Sequence, residues 1–457
     1  MNNNPQTLKQ GGETDNGYYL KIAGVMRFAK YVTLVVMIIY LLLTIAVYRS
    51  ELTLENFRYL IKYFDSSSTE HSEGLKNYRD IYFDATSEIM LGLYSSDLAV
   101  VKRDSVDIYN MLGSNTLSYS INYKNPVLMT SDKYMLTYAL GENSYVINNA
   151  FSKLYTGNTE YAITGAALSD SGMYAIASRT LEYKGAVTVY DDSFKPVSRI
   201  LKDKYITDVD MTSGGDELLV ASVYNKNGSY MSEIMTVSPY SDKARATIDL
   251  SDIMVMRARY NSYGGYTVVC NDRLLFYNSN DELTETVSYN GSVPTNCSIA
   301  GEYTTIVFNE NAVGSRSRIH IYNSNGSEQH TTALDGRIID IESDEKYVYI
   351  LFEDSIARID PVAGKVVEAK LDGGCLALVL KDHEVVLVCY TNRATAYSID
   401  ALVKEQAEAA ETETADDDGD STDDPETVTT AVTEVTEEST ADTTTAAVTE
   451  GTAAVDE

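Results

Sequence analysis

An internal repeat narrows the fold of this chain more than any other feature. Between residues 78 and 400 one pattern recurs: a strand ending in an aromatic or aliphatic residue, a turn rich in Asn, Asp and Ser, then a new strand. It stands as Val189-Tyr190-Asp191-Asp192-Ser193, as Phe276-Tyr277-Asn278-Ser279-Asn280 and as Ile321-Tyr322-Asn323-Ser324-Asn325-Gly326. Taking Tyr109, Ile147, Tyr190, Ser238, Tyr277, Tyr322, Ile359 and Tyr397 as equivalent points gives a mean spacing of about 41 residues. A second feature keeps the same beat. Apolar runs such as Leu98-Ala99-Val100-Val101, Tyr174-Ala175-Ile176-Ala177 and Val348-Tyr349-Ile350-Leu351 precede most of those points. They barely alternate, as strands covered on both faces do. Short strands on a shared period near 40 residues predict four-stranded blades of a β-propeller. Paired β-sandwiches and an irregular β-solenoid are the competing architectures.

Ring closure sets the blade number. The last repeat, Gly373 to Asp400, has room for three strands, and a spare strand, Tyr78 to Asp84, precedes the first repeat. Pairing the two would complete a blade from both chain ends and remove two free sheet edges. This count gives eight blades over residues 78–400; seven is the alternative.

The N-terminal part reads differently. Tyr31 to Tyr48 is an uncharged run bounded by Lys30 and Arg49. At about 1.5 Å per residue it just spans a bilayer core as a helix. A core helix would carry polar residues at a 3.6 period, and only Thr33 and Thr44 interrupt the run. A cleaved signal peptide would need small residues at its end, whereas Ala46-Val47-Tyr48 puts a Tyr at the cleavage position. The run is therefore expected to be an uncleaved signal anchor. Lys9, Lys21, Arg27 and Lys30 precede it, while Glu51 and Glu55 dilute the bases that follow, so residues 1–30 are expected in the cytoplasm and the propeller outside the cell. Residues 49–77 read as a stalk: Leu52, Leu54, Phe57, Leu60, Ile61 and Phe64 fall near helical spacing, and the flexible stretch Asp65 to Gly74 follows.

Charge marks the other end. The net charge is −31, which argues against a nucleic-acid partner. The segment Glu405 to Glu457 alone carries 18 acids and no Lys or Arg. Residues 401–457 are accordingly expected to be a disordered acidic tail, since they have too little apolar surface to offset the entropy of ordering.

With anchor, linker and repeats in this order, the chain resembles a membrane-anchored β-propeller family of unknown function from Gram-positive, Clostridia-like bacteria. The resemblance covers roughly residues 25–400 and rests on layout and repeat texture. One stretch, Ile359-Asp360-Pro361-Val362-Ala363-Gly364-Lys365-Val366-Val367, also resembles the quinoprotein-type propeller repeat, in which an Asp and a Gly flank the turn. That repeat ends in a Trp; here the position is Glu368 and the chain has no Trp, so a quinone cofactor is not implied.

Candidate chemistry is sparse. His71, His320, His330 and His383 have no His or Cys neighbour at i+2 or i+4, so no metal site is expected. No G-x-S-x-G elbow occurs. Cys375 and Cys389 fall in neighbouring strands of the last repeat and are expected to be buried free thiols, with a bridge as the alternative. Asn227-Gly228-Ser229, Asn290-Gly291-Ser292 and Asn325-Gly326-Ser327 match glycosylation acceptors but read first as hairpin turns. Asp416-Asp417-Asp418-Gly419-Asp420 falls short of a calcium loop, because Ser421 and Thr427 stand where Gly and Glu are needed. No catalytic residue, cofactor or metal ligand is assigned. The expectation is a binding or scaffold module for a protein or cell-envelope partner; the alternative is an envelope hydrolase or lyase using carboxylates in the central funnel.

Overall fold

The computed structural model describes residues 15–47, 80–84, 89–241 and 243–416. The expected stalk, most of the acidic tail and the first part of the segment expected in the cytoplasm lie outside the described residues. Within them stand eight four-stranded antiparallel sheets. Seven are continuous in sequence, at 90–120, 126–158, 163–202, 205–251, 255–288, 296–335 and 338–370; we number them blades 1 to 7. Blade 8 takes three strands from 377–397 and its outermost strand from Ile81–Tyr82. The N-terminal strand pairs Ile81 with Ala394 and Tyr82 with Arg393, and the Phe83 N–H donates to the Asn392 carbonyl at 3.1 Å. The eight-bladed propeller and its closure from both chain ends are as the sequence predicts.

The two periodic features find their places. The eight equivalent points fall within one residue of the end of each blade's third strand. The apolar runs are the second strands. Met135–Ala139, Tyr174–Ser178, Tyr266–Cys270 and Val348–Phe352 are buried along their whole length. They are covered because each sheet packs face to face on its neighbours. Every seam has its own apolar cluster, so the core is a ring of eight. The seam between blades 8 and 1 holds Ile81, Leu98, Val100, Leu387 and Cys389, which locks the closing strand in place.

The turns after the third strands explain the Asn/Asp signature. In blade 1 the Asn110 Oδ1 accepts from Leu112 N at 3.1 Å and Ser114 N at 2.9 Å. Asn149, Asp191, Asn278, Asn323 and Asp360 cap the same turn in blades 2, 3, 5, 6 and 7. A short side-chain acceptor takes the N–H groups that a reversing backbone leaves open.

Two helices are described besides the eight sheets. Helix α1, Asp15–Val47, begins well before the expected span. Its described side chains, Ile22, Val25 to Tyr40 and Leu43, are all exposed, and the Thr33 hydroxyl donates to the Ala29 carbonyl at 3.0 Å. Among the described residues no helix is long and apolar enough to cross a membrane; those side chains cover only part of the run 31–48.

Helix α2, Ile399–Asp416, corrects the expectation that disorder begins at residue 401. Ile399 is buried, and Leu402 and Val403 pack into the seam of blades 7 and 8. The Gln406 side chain lies against the outer strand of blade 7, accepting from Lys370 N at 3.1 Å and donating to Lys370 O at 2.8 Å. It thereby satisfies backbone groups on a free sheet edge. Arg358 fixes the start of the helix through Asp400, at 2.6 Å and 3.0 Å.

Candidate functional site

The strand order gives the ring two distinct faces. On the upper face run the connections between blades and the turns from second to third strand; on the lower face run the turns from first to second and from third to fourth strand. The first strands surround the axis between them.

The axial wall carries acids in two seams. In blade 4, Asp208 accepts from the Ala258 N–H of blade 5 at 2.9 Å and pairs with the Arg259 guanidinium, and Asp210 accepts from Tyr260 N at 2.7 Å. In blade 7, Asp340 accepts from Leu378 N of blade 8 at 2.9 Å. Asp208 and Asp340 hold matching positions, each directly after a register shift in its blade's first strand. These carboxylates bracket neighbouring blades by taking N–H groups of the inner strands, which have no sheet partner on the axial side. Burial pushes Asp210 up to about 6, against the pull of Arg259. At Glu342, burial first, then the nearby Asp340, push the carboxyl up to about 7. The wall chemistry is thus committed mainly to holding blades together.

The residues singled out from sequence fall in separate places. His320 lies on blade 6, 2.6 Å from Glu328 and 3.0 Å from the Thr331 hydroxyl. His330 sits beside Gly364 with a buried, unpartnered Nε2. His383 meets Asp344 at 2.9 Å between lower turns of blades 8 and 7. His71 lies outside the described residues. All four cysteines are free, and burial lifts Cys270 and Cys389 to about 12. Asn227-Gly228 takes positive φ at both residues and forms the two-residue hairpin turn between strands Leu218–Lys226 and Ser229–Val237; Asn290-Gly291 takes positive φ at both but lies in the connection from blade 5 to blade 6 rather than in a hairpin, and Asn325-Gly326 does so only at the Gly, with φ 88°. Among the described residues no group of three His, Cys, Asp or Glu is placed to hold a metal ion.

The upper face exposes more large apolar side chains than the lower one. Leu181, Val293 and Val313 stand at loop tips with exposures of 84, 77 and 86%. Leu140, Tyr183, Tyr205, Tyr230, Met254 and Leu376 are also exposed there. Single exposed apolar residues are ordinary; nine on one face set it apart from the lower face. Blade 4 adds a projecting ribbon. Its middle strands, Leu218–Lys226 and Ser229–Val237, are nine residues each, while the flanking strands stop at the levels of Val223 and Met231. Residues 224–230 therefore extend past their sheet around the Asn227-Gly228 turn. Glu233 braces the base: it pairs with Lys202 at 2.6 Å and with Lys204, whose Nζ lies 4.3 Å from the Tyr224 ring centre. The lower face is sharply different, with Asp132, Asp192, Asp216, Glu302, Glu345 and Asp382 at its turns. It exposes fewer large apolar residues, among them Phe151, Tyr240, Tyr263 and Val362.

Two kinds of comparison with known proteins gave matches, a family and solved structures. The model of a family described as "Family of unknown function (DUF5711)" matches residues 75–396. No curated protein matches the chain. Among solved structures, dihydro-heme d1 dehydrogenase NirN in complex with DHE is similar over 67% of this chain and 71% of that chain, at 12% identity and a TM-score of 0.52. BamB from Moraxella catarrhalis matches over 71% of this chain and 99% of its own, at 10% identity and a TM-score of 0.47. Hydrazine synthase of Kuenenia stuttgartiensis matches over 61% of this chain and 96% of its own, at 12% identity and 0.44. At such identities the NirN likeness shows the fold alone.

Proposed function

The chain belongs to DUF5711, a family of unknown function, and from that premise we propose that it is a membrane-anchored, extracytoplasmic propeller scaffold that binds a protein partner on its upper face. The observation that carries this reading is the set of apolar loop tips at Leu181, Val293 and Val313 beside the ribbon of blade 4, all on one face of a rigid ring. Anchors of this kind bind best when a fixed frame holds them, because little ordering entropy is lost on association. The anchor reading is supported by the uncharged run 31–48, by the exposed apolar surface of α1 and by the bases that precede it. It places the N-terminus in the cytoplasm.

Photo-cross-linking in cells tests the face. With the full chain carrying a photoreactive residue at position 181, 230 or 313, discrete adducts with another protein are expected. Positions 193, 216 and 345 on the lower face should give none. Equal adducts from both faces, or none from the upper one, would sink the proposal. Protease added to intact cells should digest the propeller, and a mature N-terminus near residue 50 would contradict the anchor.

A further inference from the structure

We propose that the gap in the seam between blades 2 and 3 is a binding groove for a carboxylate-bearing ligand, with Arg199 as its cationic anchor. Near the axis this seam is dry: Tyr174, Ile176 and Tyr190 of blade 3 pack on Tyr145 and Ile147 of blade 2. Farther out the same face of blade 3 turns polar. Ile176 pairs with Thr188, Thr188 pairs with Arg199, and Ser178 follows Ile176 by two residues, so the three polar residues continue one sheet face. There the blades part and leave a cleft of about 450 Å³, closed on the other side by Asn158, Glu160 and Tyr161. That volume lies within the range of small-ligand sites, roughly 300–1,000 Å³.

Two observations give the cleft its chemistry. The guanidinium of Arg199 has no ion pair or hydrogen bond among the described residues; those of Arg179, Arg257 and Arg337 share that state, but of the four only Arg199 lies in the wall of this cleft. The acid of the opposite wall, Glu160, is hydrogen-bonded to the Tyr161 hydroxyl instead. Ser178 and Thr188 bring their hydroxyls to the same cleft wall as Arg199. A guanidinium fork with hydroxyls beside it suits a planar carboxylate carrying further hydrogen-bonding groups. A flat aromatic floor is in place, because Tyr190 stacks on Tyr174 at 4.7 Å and 4°. Both an acidic sugar and a peptide carboxylate offer this chemistry.

Saturation-transfer NMR on the full chain in detergent micelles separates the sources, with glucuronate, N-acetyl-alanyl-glutamate and uncharged glucose as probes. Saturable binding of glucuronate or the dipeptide, but not of glucose, is expected. Arg199→Ala should weaken it at least tenfold, Arg199→Lys by less, and Arg337→Ala on another blade not at all. Arg199 is exposed, so Arg199→Ala should melt like the parent; Thr188→Val provides a second variant that keeps the guanidinium and should also weaken binding. If neither acid saturates, or if Arg199→Ala binds as the parent does, the groove is not such a site. Cross-linking from the upper face reads other residues, so either result stands without the other.

Discussion

Glu342 shows how one residue ties the ring to pH. Its carboxyl is raised to about 7 in the folded protein from an ordinary value of 4.5. The folded state therefore holds this proton more tightly than the unfolded chain does. Stability should fall as pH rises from about 4.5 to about 7 and change little beyond. Glu342→Gln should melt like the parent near pH 4 and a few degrees higher at pH 8, and identical melting profiles for the two would refute the assignment. His383 works in the opposite direction. Its hydrogen bond to Asp344 raises it, so what that contact adds is present in acid and lost as pH climbs through the raised value. Asp208 makes a third case. Asp208→Ala would leave the Ala258 N–H and the Arg259 guanidinium without their acceptor, at roughly 1–3 kcal/mol in denaturant unfolding. A loss under half a kcal/mol would show that the bracket adds nothing.

Among the elements, α2 yields the sharpest test. Ending the chain after Asp416 should leave the melting temperature unchanged. Ending it after Asp400 strips Leu402, Val403 and Gln406 from blade 7 and should lower it by several degrees. Equal melting of the two would show that the helix only rests on the ring. This helix was readable in principle: Ile399, Leu402, Val403 and Gln406 are spaced i, i+3, i+4, i+7. Its Ala- and Glu-rich remainder hid the signal, because that composition serves a solvated tail equally well. The blades were legible for a clear reason. Second strands covered on both faces must be apolar, and the turns at Asn110, Asn149 and Asn278 need a short side-chain acceptor, so each leaves a mark at a fixed period. The inner-strand acids left none. Asp208 and Asp340 look like any polar residue in a strand until the ring brings Ala258 and Leu378 beside them. The exposed tips Leu181 and Val313 were equally silent, since sequence does not say which loops share a face.

For the whole molecule, the seam between blades 8 and 1 decides whether there is a ring at all. Ile81 is fully buried among Leu98, Val100 and Leu387. Removing residues 78–84 should bare the edge of strand 393–397, uncover the apolar seam that Ile81 and Phe83 fill, and cause aggregation or a large loss of thermal stability. A chain lacking them that melts like the parent would contradict closure. The same strand has a mechanical meaning. It enters blade 8 from the lower face and runs upward along its partner, so tension on the N-terminal chain would act in shear on the pairs Ile81–Ala394 and Tyr82–Arg393. The other blades keep all four strands on one continuous segment and feel that tension only after blade 8 has yielded. A pull from the N-terminal side therefore meets a fuse: the protein should lose its two-residue strand first, in a small early step, and only then unfold blade by blade.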